Sequence, residues 1–142
     1  MSVQILRVVL IVLSLIPLAT GLNGIVQGPP GLPEPTTATA TLDSEYRFVN
    51  VFWLGAGGVL FWSAWQVVER AAAARFVLVL AALGGLARLW SVVQTDWPHP
   101  IFIGTIVLEL VVVPAVIWWH WRVTRGGARR LSPVAQLQQQ GS

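Results

Sequence analysis

The sequence predicts an all-α, polytopic membrane protein: an antiparallel bundle of four transmembrane helices with both termini in the cytoplasm. Hydrophobic residues make up 55% of its 142 residues and charged residues 11%, against a soluble norm of about 25% charged. Four stretches reach the roughly 20 mostly apolar residues that a span requires. The basic residues are all arginine, and most lie at the ends of those stretches. A chain so poor in charge cannot build a surface for water, so its solvent is lipid.

The first span, about 5–26, carries a single charge, Arg7, near its start. Its apolar run is longer than the roughly 7–15 residues of a signal-peptide core, which makes it a retained helix. Residues 27–44 form an extracytoplasmic loop, Gly-Pro-Pro-Gly-Leu-Pro-Glu-Pro followed by a Thr/Ala run. Its proline part is stiff and extended, and it serves either as a linker or as a lid. Asp43 or Ser44 is expected to cap the second span, about 48–68, with Glu45 in the positive first turn. The third span, about 73–93, contains Arg88, and the fourth, about 101–121, contains Glu109. The turns at 69–72 and 95–100 are short, so spans two to four are antiparallel neighbours. Span one is apolar nearly throughout and is expected to be peripheral. Residues 1–122 thus form one transmembrane domain, and 123–142 a basic, then Gln-rich cytoplasmic tail.

Arginine placement sets the orientation. Arg7, Arg70, Arg75, Arg122, Arg125, Arg129 and Arg130 flank one end of the spans. The other end carries Glu34, Asp43, Glu45 and Asp96 against Arg47 alone. The positive-inside rule then puts both termini and the middle turn on the cytoplasmic side of the membrane. Trp62, Trp65, Trp118, Trp119 and Trp121 mark the inner interface, and Trp90 and Trp97 the outer one. Arg125, Arg129 and Arg130 are placed to hold anionic lipid headgroups.

Much chemistry is excluded. The chain has no cysteine, so disulfides, thiolate metal sites and a cysteine nucleophile are absent. His99 and His120 stand at opposite ends of span four and cannot share a metal. His99 is expected to be solvated in its turn, and His120 to reach toward the interface among tryptophans. No nucleophile–base pair emerges, so no residue is assigned as catalytic, and no metal or cofactor is implied. The net charge of +3 does not signal nucleic acid, because the arginines do not line a polar face.

Two charges, Arg88 and Glu109, lie deep within the spans. Counting about 1.5 Å per residue, Arg88 lies about 8 Å and Glu109 about 13 Å inside the outer ends of their helices. Antiparallel neighbours bring them into reach of each other, and they are expected to pair. Ala81, Gly84, Gly85, Arg88 and Ser91 share a helix face. Pro114 cannot donate to the Leu110 carbonyl, which should bend span four beside Glu109. Two readings stay open. In one, the pair is a structural latch, because breaking a buried pair is costly. In the other, Arg47, Asn50, Arg88, Glu109 and Asp96 line an outward-facing polar cavity walled by Trp53 and Trp90.

The runs Tyr46-Arg47-Phe48, Gly84-Gly85-Leu86-Ala87-Arg88 and Leu108-Glu109-Leu110 with Pro114 resemble a widespread bacterial membrane family, domain of unknown function 4345. The resemblance covers roughly 43–121, and span one only loosely. It implies a four-helix protein of the bacterial cytoplasmic membrane with Arg47, Arg88 and Glu109 at the family's recurring polar positions, and it implies no activity. The Pro/Thr loop looks like an elaboration of this chain. Small size and glycine-rich faces point first to an accessory subunit, docking on a membrane-protein partner or a second copy. The second reading is a binder or transporter of a small anionic or amphiphilic molecule.

Overall fold

The computed structural model describes residues 2–34 and 37–130, with side chains described for 3–34 and 37–125. Among these residues there is no strand, and four helices are each long and apolar enough to cross a bilayer: Val3–Gln27, Ala40–Trp65, Ala71–Gln94 and Pro100–Arg125. The elements are α1 (Ser2–Gln27), α2 (Ala40–Trp65), α3 (Ala71–Gln94), α4 (Pro100–Val107) and α5 (Val113–Arg130). A π-helical turn, Leu108–Val112, joins α4 to α5.

Two boundaries differ from expectation. α2 starts at Ala40, eight residues before Phe48. Thr39 Oγ1 accepts the Leu42 N–H and caps the helix, a role that sequence reading assigned to Asp43 or Ser44. Asp43 instead sits one turn inside and pairs with Arg47, which supports the extra turns. Span four does not stop at Trp121. Arg122 lies over the Trp118 ring and Arg125 over the Trp121 ring, at 4.0 and 3.6 Å, and these pairs one turn apart carry the helix onward. Arg129, Arg130 and the tail 131–142 lie outside the described side chains.

α1 is not peripheral. A Cβ added to Gly21 would stand 2.8 Å from the Leu54 backbone nitrogen, and one on Gly57 2.9 Å from that of Leu18. The two backbones touch, an approach only glycine permits. Each end of this pair is closed by an arginine of the partner helix. Arg7 Nε and Nη2 donate to the carbonyls of Ala64 and Trp65, at 3.1 and 3.3 Å. Arg47 Nη1 donates to the carbonyls of Ile25 and Val26, at 2.6 and 3.0 Å. The last carbonyls of a helix have no partner within it, and a cation there also meets the negative end of the helix dipole.

The buried apolar core gathers at the end that holds the start of α1, the later turns of α5 and the α2–α3 turn, here the terminus end. Leu6 and Leu10 of α1, Leu60 and Ala64 of α2, Val77 and Leu78 of α3, and Val113 and Val116 of α5 fill it. The opposite end, with the 28–39 connection and the 95–99 turn, is the loop end. There α1–α2 and α3–α4 diverge.

The glycine contact is testable by thermal unfolding in detergent. Gly57→Leu should lower stability by about 1–3 kcal/mol through overpacking. Gly55→Ala, whose Cβ meets nothing within 4 Å, should be neutral or slightly stabilising.

Candidate functional site

The divergence leaves a cavity of about 1210 Å³, larger than the 300–1,000 Å³ usual for small-molecule sites. Its floor is the top of the core: Leu60, Val77, Leu78 and Val113. Pro17, Thr20 and Asn23 of α1, and Tyr46, Asn50 and Trp53 of α2, form one wall. Ala81, Gly84, Arg88 and Ser91 of α3 form another, and Phe102, Thr105 and Glu109 of span four a third. Phe52 lines it too, although 64% exposed. Phe52 thus stands at an edge where the cavity lining meets the outer surface of the bundle.

Arg88 and Glu109 meet on this surface. Arg88 Nε lies 3.2 Å from Glu109 Oε2, with the Arg88 side chain 41% exposed and that of Glu109 6%. The approach is an ion pair without hydrogen-bond alignment, and Glu109 Oε2 has no hydrogen-bond donor among the described residues. Nor does any acceptor among them take a hydrogen bond from the Arg88 guanidinium. Its other contact is the Phe102 ring, 5.7 Å from Cζ to centroid.

Local backbone chemistry sets this geometry. Pro114 has no N–H for the Leu110 carbonyl, and its ring crowds that group. The chain widens into the π-turn, in which Val113 N–H donates to the Leu108 carbonyl five residues back. Glu109 lies within that turn. Gly85 lets it approach α3, since a Cβ on Gly85 would stand 2.8 Å from Glu109 Cβ.

Asn50 and Trp53 reach the cavity as well. Asn50 is buried against Gly24, and its Nδ2 donates to the Tyr46 carbonyl at 2.7 Å. Trp53 Nε1 donates to Thr20 Oγ1 at 2.9 Å. Asp96 stands at the rim, where its Oδ1 accepts the Trp97 N–H. Two predicted lining residues are elsewhere. Arg47 is committed to Asp43 and to the α1 carbonyls, so it clamps helices and does not face the cavity. Trp90 is 65% exposed on the outer surface of α3, because it sits two positions past Arg88 and so on another helix face. Sequence reasoning missed Thr20, Asn23, Tyr46, Phe102 and the Asp43–Arg47 pair; the i,i+4 spacing of that pair was a usable signal.

Of the two histidines, only His120 departs from expectation. His99 Nδ1 accepts the Ile101 N–H and caps α4. His120 is fully buried at the terminus end, and neither ring nitrogen has a hydrogen-bond partner among the described residues. The helix continues past it and so carries it into the bundle. Among the described residues no group of His, Asp and Glu could hold a metal.

Four apolar spans around a cavity that contains one ion pair define a multi-pass helical membrane protein with a ligand-sized site. The chain belongs to the family described as a domain of unknown function (DUF4345), whose model matches residues 5–120. That match takes in the first span, which the motif resemblance covered only loosely. No curated protein and no solved structure matches the chain.

The pair can be weighed by a double-mutant cycle read as thermal stability. Arg88→Gln should cost about 2–3 kcal/mol, less than a fully buried pair, since Arg88 is partly exposed. Adding Glu109→Gln should recover at least half, because no uncompensated charge remains.

Proposed function

We propose that this protein binds an amphiphilic molecule drawn from the bilayer, with its polar head at Arg88 and Glu109 and its apolar part against the cavity walls. The observation that carries this is the Arg88 guanidinium, 41% exposed on a mostly apolar cavity, whose neighbour Glu109 Oε2, at 3.2 Å, takes no aligned hydrogen bond from it. A latch alone would align both partners and leave neither short of hydrogen bonds. The exposure of Phe52 at the edge of the cavity supports access from lipid. The filled core at the terminus end favours binding over transport, which needs an opening on each side.

An accessory role rests on a separate observation. Gly55, Gly58 and Gly104 have open space where a side chain would stand, which suits close approach by a helix of a membrane-protein partner or a second copy. The arginine distribution supports an orientation with both termini on the cytoplasmic side. Arg125, exposed and stacked on Trp121, fits an anionic headgroup at that face.

Cavity filling tests the binding function. Gly84 lines the cavity, and a Cβ there meets nothing within 4 Å, so Gly84→Phe should fold normally. It should lose at least tenfold in affinity for a fluorescent single-chain fatty acid in nanodiscs. Unchanged affinity would place the ligand elsewhere. Orientation is open to single-cysteine labelling in intact cells, since the chain has no cysteine. Ser44→Cys should react with an impermeant maleimide and Glu69→Cys should not.

A further inference from the structure

Resting on the binding function above, the charge balance of the cavity points to the chemistry of the ligand head. Arg88 and Glu109 together are neutral. A bound anion would leave the site with one net negative charge at membrane depth, which is costly. Each partner nevertheless has an unmet need. At 3.2 Å the two are not aligned for a hydrogen bond, so the Arg88 guanidinium, 41% exposed to the cavity, can still donate, and Glu109 Oε2, on a side chain 6% exposed, can still accept. A head that offers an acceptor to Arg88 and an O–H to Glu109 meets both needs and keeps the site neutral. A carboxylic acid does this with two adjacent oxygens.

We infer that the cavity takes a single-chain carboxylic acid together with one proton, shared between the ligand carboxyl and the Glu109 carboxyl. For a ligand that is ionised in solution, the carboxylate and one proton enter together. No covalent bond is made or broken apart from that proton's attachment to oxygen. The described charged or titratable side chains around the cavity are few. Arg88 of α3 faces Glu109 directly. Tyr46 comes from α2, and Asp96 lies exposed in the turn after α3. α1, α4 and α5 add none to the lining. Glu109 is thus the acidic group at the depth of Arg88, and it accounts for the proton.

Calorimetry in nanodiscs, in buffers of different ionisation enthalpy, tests this with decanoic acid and its neutral analogue decanamide. Decanoate should bind the wild-type protein with uptake of about one proton, and its affinity should fall about tenfold per pH unit above pH 7. Decanamide should bind without proton uptake and without that pH dependence. In Glu109→Gln, Arg88 alone balances the carboxylate, so decanoate should bind with no proton uptake and a flat pH profile. Thermal unfolding confirms that this variant is folded, and the wild-type comparison of acid with amide does not depend on it. Decanoate binding to the wild type without proton uptake would overturn the inference and leave the binding function standing. Failure of both probes to bind would overturn both.

Discussion

A helix that ends in or near lipid must satisfy its last carbonyls, and there is little water to do so. In the α1–α2 pair, arginines supply the donors. Arg7 closes the end of α2 and Arg47 the end of α1, so each helix is held by the first turns of the other. Between these clamps Gly21 and Gly57 bring the backbones into contact. The pair is a rigid plank, and the rest of the bundle is arranged against it.

The second pair leans on this plank at one end only. Apolar side chains from all four spans meet at the terminus end, while at the loop end the pairs part. The gap is a consequence of where the large side chains are. Leu6, Leu10, Leu60 and Leu78 fill one end, and Gly84, Ala81 and Thr20 are too small to fill the other. Within this gap the π-turn at Leu108–Val112 sets Glu109 beside Arg88. The low dielectric makes their shortage of hydrogen bonds consequential, since an unmet polar group costs more there than in water. A ligand that completes the set gains from both partners.

The four spans were legible because span length and composition are local signals. The meeting of Arg88 with Glu109 was legible too, because a short turn between antiparallel helices leaves little freedom of depth. Arg47 and Trp90 show where such reasoning ends. Both sit near the loop end, yet which way a helix turns its faces depends on its neighbours. Trp90 looks outward, and Arg47 finds Asp43 and the α1 carbonyls before it can reach the cavity. His120 was misread for a related reason. An interfacial position was inferred from nearby tryptophans, but the helix runs on past Trp121 and leaves the imidazole inside.

The sequence by itself determined four apolar spans, short turns at about 69–72 and 95–100, and a single pair of charges deep within the spans. Each follows from composition along one segment, where the cost of placing charge in lipid outweighs other terms. Only the tertiary structure decided that α1 welds to α2 through glycine, that the core occupies one end, and that the other end holds a cavity. Those outcomes depend on which faces of separate helices meet. That choice is made by packing between residues far apart in the chain, such as Gly21 with Leu54 and Gly85 with Glu109.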